Sequence, residues 1–341
     1  MAIPRARVYV PAMRSLVSLD DCLAKALDGV GPVPVAPQPP RTACGQVLAE
    51  ALVLPADLPA RAEALRAGCA VAALDLVGAS AGAPVPLGPL AQVVPGQPLP
   101  AGTDAVLPED GIEGGAGLAE AIRPVDPGAG VRRAGHDGRT GSSLAPAGTV
   151  VTPRLALVAA LAGMPTLPVR RRPVVRVALP DPAQADFAAA WLAAQGAEAG
   201  DAAPDLTLVA TADHAPRLAF APAETAWLSR DGAGLLLAVP VRFDGMVAAL
   251  LGLALPALAA LTGARPHPRT LPLARKAASA VGLSELLLLA EDAGGWQPHP
   301  PGTLTASALA GATAFAILPP DSEGLPPGAP LAGHSLDHPL K

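Results

Sequence analysis

Gly130-Val-Arg-Arg-Ala-Gly-His-Asp137, then Leu144-Ala-Pro-Ala-Gly-Thr149 and Thr152-Pro153, lead through an apolar stretch to Pro168-Val-Arg-Arg-Arg-Pro173. The first part is a charged loop punctuated by glycine, whose backbone can approach an anion closely. Asp137-Gly138 also fits ordinary turn chemistry in a solvated hairpin. Thr152 is placed to cap a helix with Pro153 in its first position and Gly163 at its end. The prolines that follow close this segment and open a new one.

Downstream of Pro173 the texture is that of a layered α/β unit. Val174–Leu179 and Leu206–Ala210 are apolar runs predicted to be buried parallel strands, with Asp186–Gln195 as the crossover helix. Leu235–Val239 is predicted to be a third strand, and Met246–Leu261 its following helix. From Gly245 to Gly263 no residue is charged, long enough to span a bilayer. Pro256 interrupts it, Arg242 and Asp244 precede it, and aromatic anchors are missing, so it reads as a core helix and no membrane partner is expected. Beyond Pro266 short strands and turns return, with a helix expected around Thr303–Ala310.

Upstream, Ser18 is placed to cap an amphipathic helix running to Val30, with Leu19, Cys22, Leu23, Ala26 and Leu27 on one face. Pro32–Pro40 is a spacer, and Thr42–Leu54 is helix-compatible. From Leu58 to about Val125, short apolar runs between glycines and prolines predict a small β-rich module.

Composition bounds the chemistry. The 341 residues are 51% hydrophobic but only 2% aromatic, so the cores must be built of small aliphatic side chains. A net charge of −5 supplies no basic field for nucleic acid. Cys22, Cys44 and Cys69 form no CxxC pair and read as thiols in a reducing compartment. Arg5, Arg7 and Arg14 are followed by no apolar run, so no signal peptide is expected and the localisation is read as cytoplasmic. His214, His267, His299, His334 and His338 lack metal-ligand spacing, and no P-loop, dinucleotide fingerprint or nucleophile elbow is present.

Two segments resemble the molybdopterin molybdenumtransferase family, which includes the E domain of gephyrin. One is Pro98-Leu-Pro-Ala-Gly-Thr-Asp-Ala-Val106 followed by Glu109-Asp110; the other is the stretch quoted first. Gly68-Cys-Ala-Val71, Leu273–Glu285 and Ile317-Leu-Pro-Pro-Asp-Ser-Glu-Gly324 extend the likeness. It implies an elongated homodimer of four subdomains: residues 14–57 with 144–172, an inserted β-rich module at 58–143, a truncated three-layer α/β domain at 173–264, and a C-terminal β-barrel at 265–341. It also implies a cleft that binds adenylylated molybdopterin and molybdate with magnesium, and an apo-molybdoenzyme as a possible partner.

Within that likeness the expected catalytic residues are Asp137, Asp213 and Asp244. Arg132, Arg133, His136, Pro240, Arg242 and Lys276 are expected to hold the pterin ligand, and Asp104 with Asp137 a metal. Several bland readings compete. Asp104, Glu109 and Asp110 fit a charged surface loop, and Arg275 with Lys276 a solvated face. Arg242 and Asp244 fit either a phosphate contact at the end of a strand or a local salt bridge.

The sequence also departs from the family pattern. Ala64-Leu-Arg-Ala67-Gly68-Cys69 replaces a serine-alanine-methionine-aspartate-glycine-tyrosine turn, so Ala67 stands for the aspartate, and Pro95 stands for a threonine. Leu179-Pro-Asp181-Pro182 replaces a threonine-glycine-aspartate-glutamate loop. Thr211-Ala-Asp213-His214 replaces a serine-glycine-glycine loop. The chain contains no asparagine, so Val239-Pro240-Val-Arg242-Phe-Asp244 stands where the family has leucine-proline-glycine-asparagine-proline. Three readings remain open: molybdenum insertion by the remaining carboxylates, binding and delivery of the cofactor without insertion, or a structural or regulatory paralogue that no longer binds pterin.

Overall fold

The computed structural model describes residues 16–115, 118–211, 217–232, 234–292, 294–338 and 340. Three parallel strands form the middle of a five-stranded sheet: Val174–Ala178, Leu206–Ala210 and Gly234–Val239. Glu198–Ala199 extends it in parallel at one edge, and Trp227–Asp231 closes the other edge antiparallel. The crossover helix spans Pro182–Ala194, starting before the expected Asp186. Asp181 explains the early start: its carboxylate accepts the Gln184 N–H at 2.8 Å, and Pro182 fits the first turn.

The apolar run after Arg242 is one helical path: Phe243–Ala249, a π-helical turn at Leu250–Ala254, and Leu255–Thr262. Pro256 lacks an N–H, and the wider turn just before it lets the helix continue past that missing donor. Gly263 ends it in the left-handed region at φ 72°. Its most apolar window is 83% buried inside the fold, as a core helix should be. Leu253, Leu258, Leu206 and Leu237 meet there with Leu19 and Cys22 of the first helix, Leu19–Leu27. That helix is capped as predicted, with Ser18 Oγ accepting the Asp21 N–H at 3.0 Å.

Residues 42–54 correct the expected helix. Only Pro40–Ala43 is helical, and Gly45 at φ 82° turns the chain away. The Leu48 N–H then goes to Thr149 O, Val151 N–H to Gln46 O, and Arg170 N–H to Val47 O. Pairing with two distant segments satisfies the backbone better than a short helix flanked by proline could. The following strand Leu52–Val53 pairs with Ser143–Ala145, and helix Pro153–Leu161 starts at its predicted cap, Thr152.

Residues from Glu63 to Arg132 contain three small sheets around Leu76, Val93, Val106 and Leu107, a core of the small aliphatics that composition required. All three cysteines are free, with Cys22 and Cys69 buried.

Among the described residues the expected C-terminal barrel is not closed. Strands Phe220–Ala221, Ser284–Asp292, Ala314–Leu318, Pro330–Ser335 and Arg269–Pro272 form an open path in that order, with Gly295–Pro298 paired to Ser284–Asp292. A single isolated bridge, Leu273 to Trp296, approaches closure. Pro272 and Pro298 stand beside it without N–H donors, so no continuous ladder forms there. Phe220–Ala221 joins this sheet from within the α/β segment. The last helix is Ala306–Gly311, capped by Thr305, close to where it was predicted.

Candidate functional site

The glycine loop is held against the inserted module at both ends. Val131–Arg132 pairs antiparallel with Glu63–Ala64, and the Leu65 N–H donates to Gly130 O at 2.8 Å. Gly96 N–H donates to Ala64 O at 2.8 Å, which places the Pro95 turn beside the same strand. At the far end, Leu58 and Gly138 bridge, and Asp57 accepts both the Thr140 N–H at 2.8 Å and its hydroxyl at 2.9 Å. Those two bonds hold the Asp57 carboxyl below the usual carboxylate range.

Arg132 stands between two carboxylates: its Nη1 reaches Glu63 Oε1 and its Nε reaches Asp137 Oδ2, each at 3.3 Å. Arg133 lies over Gly128, where an added Cβ would fall 2.8 Å from its Nη2. Arg66, from the turn that ends at Ala67, lies over Gly130, with Nε 2.4 Å from the Cβ position. Gly128, Gly130 and Gly135 all have positive φ, so the loop needs their freedom as well as their lack of side chains. His136 is exposed on the same loop. Among the described residues, Arg66, Arg133 and His136 form no ion pair with a carboxylate.

A second group lies after the strand Gly234–Val239. Pro240 leaves that strand, and Gly245 fits against it where a Cβ would stand 2.9 Å from the ring. Arg242 Nε and Nη2 bond to Asp244 Oδ1 and Oδ2 at 3.0 and 2.8 Å. The Gly245 N–H also donates to Asp244 Oδ1 at 2.8 Å. The Arg242 guanidinium, with that N–H, holds the Asp244 carboxyl below its ordinary value. The local salt bridge foreseen for this pair is therefore formed. Asp213 lies outside the described residues.

Other expected positions are scattered. Asp104 Oδ1 accepts the Ala73 N–H at 2.8 Å, capping a short helical turn, while its carbonyl accepts the Gly128 N–H. Asp110 pairs with Arg123. Arg275 gives its guanidinium to Pro298 O, and Lys276 beside it is exposed. No hydrogen bond or ion pair joins the Asp104 and Asp137 carboxylates, and the described residues hold no group of three His, Cys, Asp or Glu able to grip a metal. Magnesium favours several oxygen ligands in octahedral geometry. Two carboxylates already engaged by an amide and a guanidinium do not supply that set.

Residues 17–163 match the family described as the MoeA N-terminal region (domain I and II). Over those residues the chain resembles MoeA proteins, and its fold as a whole is MoeA-like. It is 30% identical over 184 residues to molybdopterin molybdenumtransferase 2 of Mycobacterium tuberculosis (strain ATCC 25618 / H37Rv), covering 48% of this chain and 44% of that protein. It is 30% identical over 143 residues to molybdopterin molybdenumtransferase of Synechococcus elongatus, covering 36% of each. The chain thus spans less than half the length of these relatives. The fold likeness reaches further. A molybdopterin biosynthesis moeA protein from Pyrococcus horikoshii OT3 superposes with TM-score 0.70 at 20% identity, over 93% of this chain and 99% of that one. A Pyrococcus furiosus molybdenum cofactor biosynthesis protein gives 0.61 at 15% identity, over 94% and 99%.

On this MoeA-type frame the structure brings Arg132, Arg133, His136 and Asp137 together with Glu63 and Arg66, which the sequence reading had not singled out. Pro240, Arg242 and Asp244 form their own group, and Lys276 joins neither by any bond. Arg66 carried a sequence signal, a lone cation in an exposed turn, but its partner is a glycine far along the chain.

Proposed function

We propose that this MoeA-type protein serves molybdenum cofactor biosynthesis by binding adenylylated molybdopterin, with molybdate, and passing the cofactor on without itself inserting molybdenum. The observation that supports this most is the state of the carboxylates. Asp137 is tied to Arg132 and Asp244 to Arg242, while Ala67 offers no acid at the turn they would need. A carboxylate lowered by a guanidinium, as Asp244 is by Arg242, is a weak proton acceptor, and alanine is none. The cations of the glycine loop, by contrast, are kept, and anionic phosphate and molybdate call for cations and backbone amides.

The same reading assigns residues 14–57 with 144–172, 58–143, 173–264 and 265–341 as successive subdomains. It also gives the chain a homodimeric state, a cytoplasmic setting and an apo-molybdoenzyme as recipient. Arg132, Arg133, His136, Pro240, Arg242 and Lys276 are assigned to the ligand, with Arg242 set to meet a phosphate.

The test is a reconstitution with purified protein, adenylylated molybdopterin, molybdate and magnesium, following pterin retention and AMP release. Retention through desalting without AMP is the expected outcome. Catalytic AMP release with formation of active cofactor would restore the insertion reading. Failure to retain pterin would leave a structural or regulatory paralogue.

A further inference from the structure

Arg66 and Arg133 are two cations set over two glycines of one loop, and among the described residues neither forms an ion pair with a carboxylate. The glycines they cover, Gly130 and Gly128, are two residues apart, a span of at most about 7 Å along the backbone. Each guanidinium lies within 3 Å of where a Cβ would be, so the missing side chains allow both to rest against the main chain. Three carboxylates around this loop are already engaged. Glu63 and Asp137 both face Arg132, and Asp57 is bonded to Thr140. Glu63 and Asp137 thus serve Arg132, Asp57 lies beside Arg139, and Arg66 and Arg133 form no ion pair among the described residues.

Two guanidinium groups resting over glycines only two residues apart can be bridged by a single anion, which supplies the counter-charge to both. Guanidinium forks match the oxygens of a phosphate, and two forks match a diphosphate better than one. A divalent cation fits this surface poorly, because its free charges are positive and its carboxylates are engaged.

We propose that Arg66 and Arg133 form a clamp for a phosphate ester or diphosphate that works without magnesium. The clamp deepens the pterin reading by naming which part of the ligand the inserted module grips and with which residues. It rests on that reading only for the identity of the natural ligand. Magnesium complexed to the phosphates lowers their charge and competes with the arginines, so it should weaken binding.

The experiment is calorimetric titration of the full chain with inorganic pyrophosphate, once in EDTA and once in excess magnesium. The variants are Arg66→Met and Arg133→Met, with Arg154→Met on the exposed face of helix Pro153–Leu161 as control. Binding is expected in EDTA and weaker in magnesium. Each clamp variant should lose about tenfold or more in affinity, the loss expected for one hydrogen bond to a charged group. The control should bind like the parent. All three arginines are exposed, so thermal unfolding of the variants should match the parent and exclude misfolding as the cause. Binding that requires magnesium, or that survives Arg66→Met unchanged, overturns the clamp. Because the titration contains no pterin, the two readings fail separately. Pterin retention without pyrophosphate binding sinks the clamp alone, and pyrophosphate binding without pterin retention sinks the pterin reading alone.

Discussion

Arg171 grips Asp205 through two parallel hydrogen bonds, Nη1 to Oδ2 at 2.7 Å and Nη2 to Oδ1 at 2.8 Å, and the same Oδ2 accepts the Val174 N–H at 2.7 Å. One carboxylate thus joins the arginine-rich connector to the first strand of the α/β sheet and to the residue before the second. Burial pushes the Asp205 carboxyl up, but the bonds from Arg171 and Val174 and the Arg171 charge outweigh it, so it titrates below its ordinary value. A carboxyl lowered by folding adds stability above its unfolded pKa and loses it as pH falls through the folded one. Asp205→Asn should therefore cost about 1.5–3 kcal/mol at neutral pH, toward the lower end because Arg171 is partly exposed to solvent. Urea denaturation should show the gap between parent and variant shrinking below about pH 4. An equal gap at pH 7 and pH 3 would mean that packing, and not charge, makes the contribution.

Two glycines should respond differently to the same substitution. A Cβ at Gly68 would lie 2.3 Å from the Leu107 carbonyl oxygen, in a strand that cannot move without breaking its own ladder. Gly68→Ala should cost about 2 kcal/mol or more, from overpacking and an unfavourable φ. At Gly130 the three atoms nearest a Cβ all belong to the Arg66 side chain, which can swing away, so Gly130→Ala should cost about 1 kcal/mol for its positive φ. Chemical denaturation of both variants checks the order; a larger loss at Gly130 would contradict it.

What the sequence made legible was local. Leu206–Ala210 and Leu235–Val239 announce buried parallel strands because unbroken apolar runs have few other uses, and Thr152-Pro153 announces a helix start by its own chemistry. Residues 42–54 misled because their partners, at 149–151 and 168–170, are brought in by tertiary structure. The open C-terminal sheet was equally hidden, since strand texture does not say whether the ends of a sheet meet. In the candidate site, Arg132 and Asp137 stand out from the sequence of their loop, whereas the position of Arg66 over Gly130 is set by tertiary structure. The Arg242–Asp244 alternatives could be separated only by geometry.

The helix Phe243–Thr262 has the length and composition of a membrane span, yet it is packed into the largest core. Leu258 is fully buried in the same core as Leu206, Leu237 and Phe220, whereas Leu161, on helix Pro153–Leu161, is 63% exposed. Leu258→Ala should therefore cost about 2–5 kcal/mol, the range for a buried leucine whose cavity does not fully collapse. Leu161→Ala should stay within about 0.5 kcal/mol. Equilibrium denaturation in water distinguishes the two, and equal small effects would mean that the helix is not packed in the core.

Asp244→Asn tests whether the paired carboxylate is chemistry or scaffold. The pair sits at the carboxyl end of a central parallel strand, where open α/β sheets place ligands. As it stands, Arg242 spends Nε and Nη2 on Asp244 and has correspondingly less to offer a phosphate. The Arg242 side chain is 68% exposed, so the pair should contribute no more than about 1 kcal/mol to stability. Asparagine keeps the shape but removes the charge, which releases the guanidinium. If the pair is scaffold, Asp244→Asn should retain adenylylated molybdopterin at least as tightly as the parent, with a near-parental denaturation midpoint. If Asp244 moves a proton, the parent must show AMP release and the variant must lose it while still retaining the ligand. Loss of retention in a folded variant would instead make the carboxylate itself a binding group, contrary to the reading in which Arg242 holds it in place.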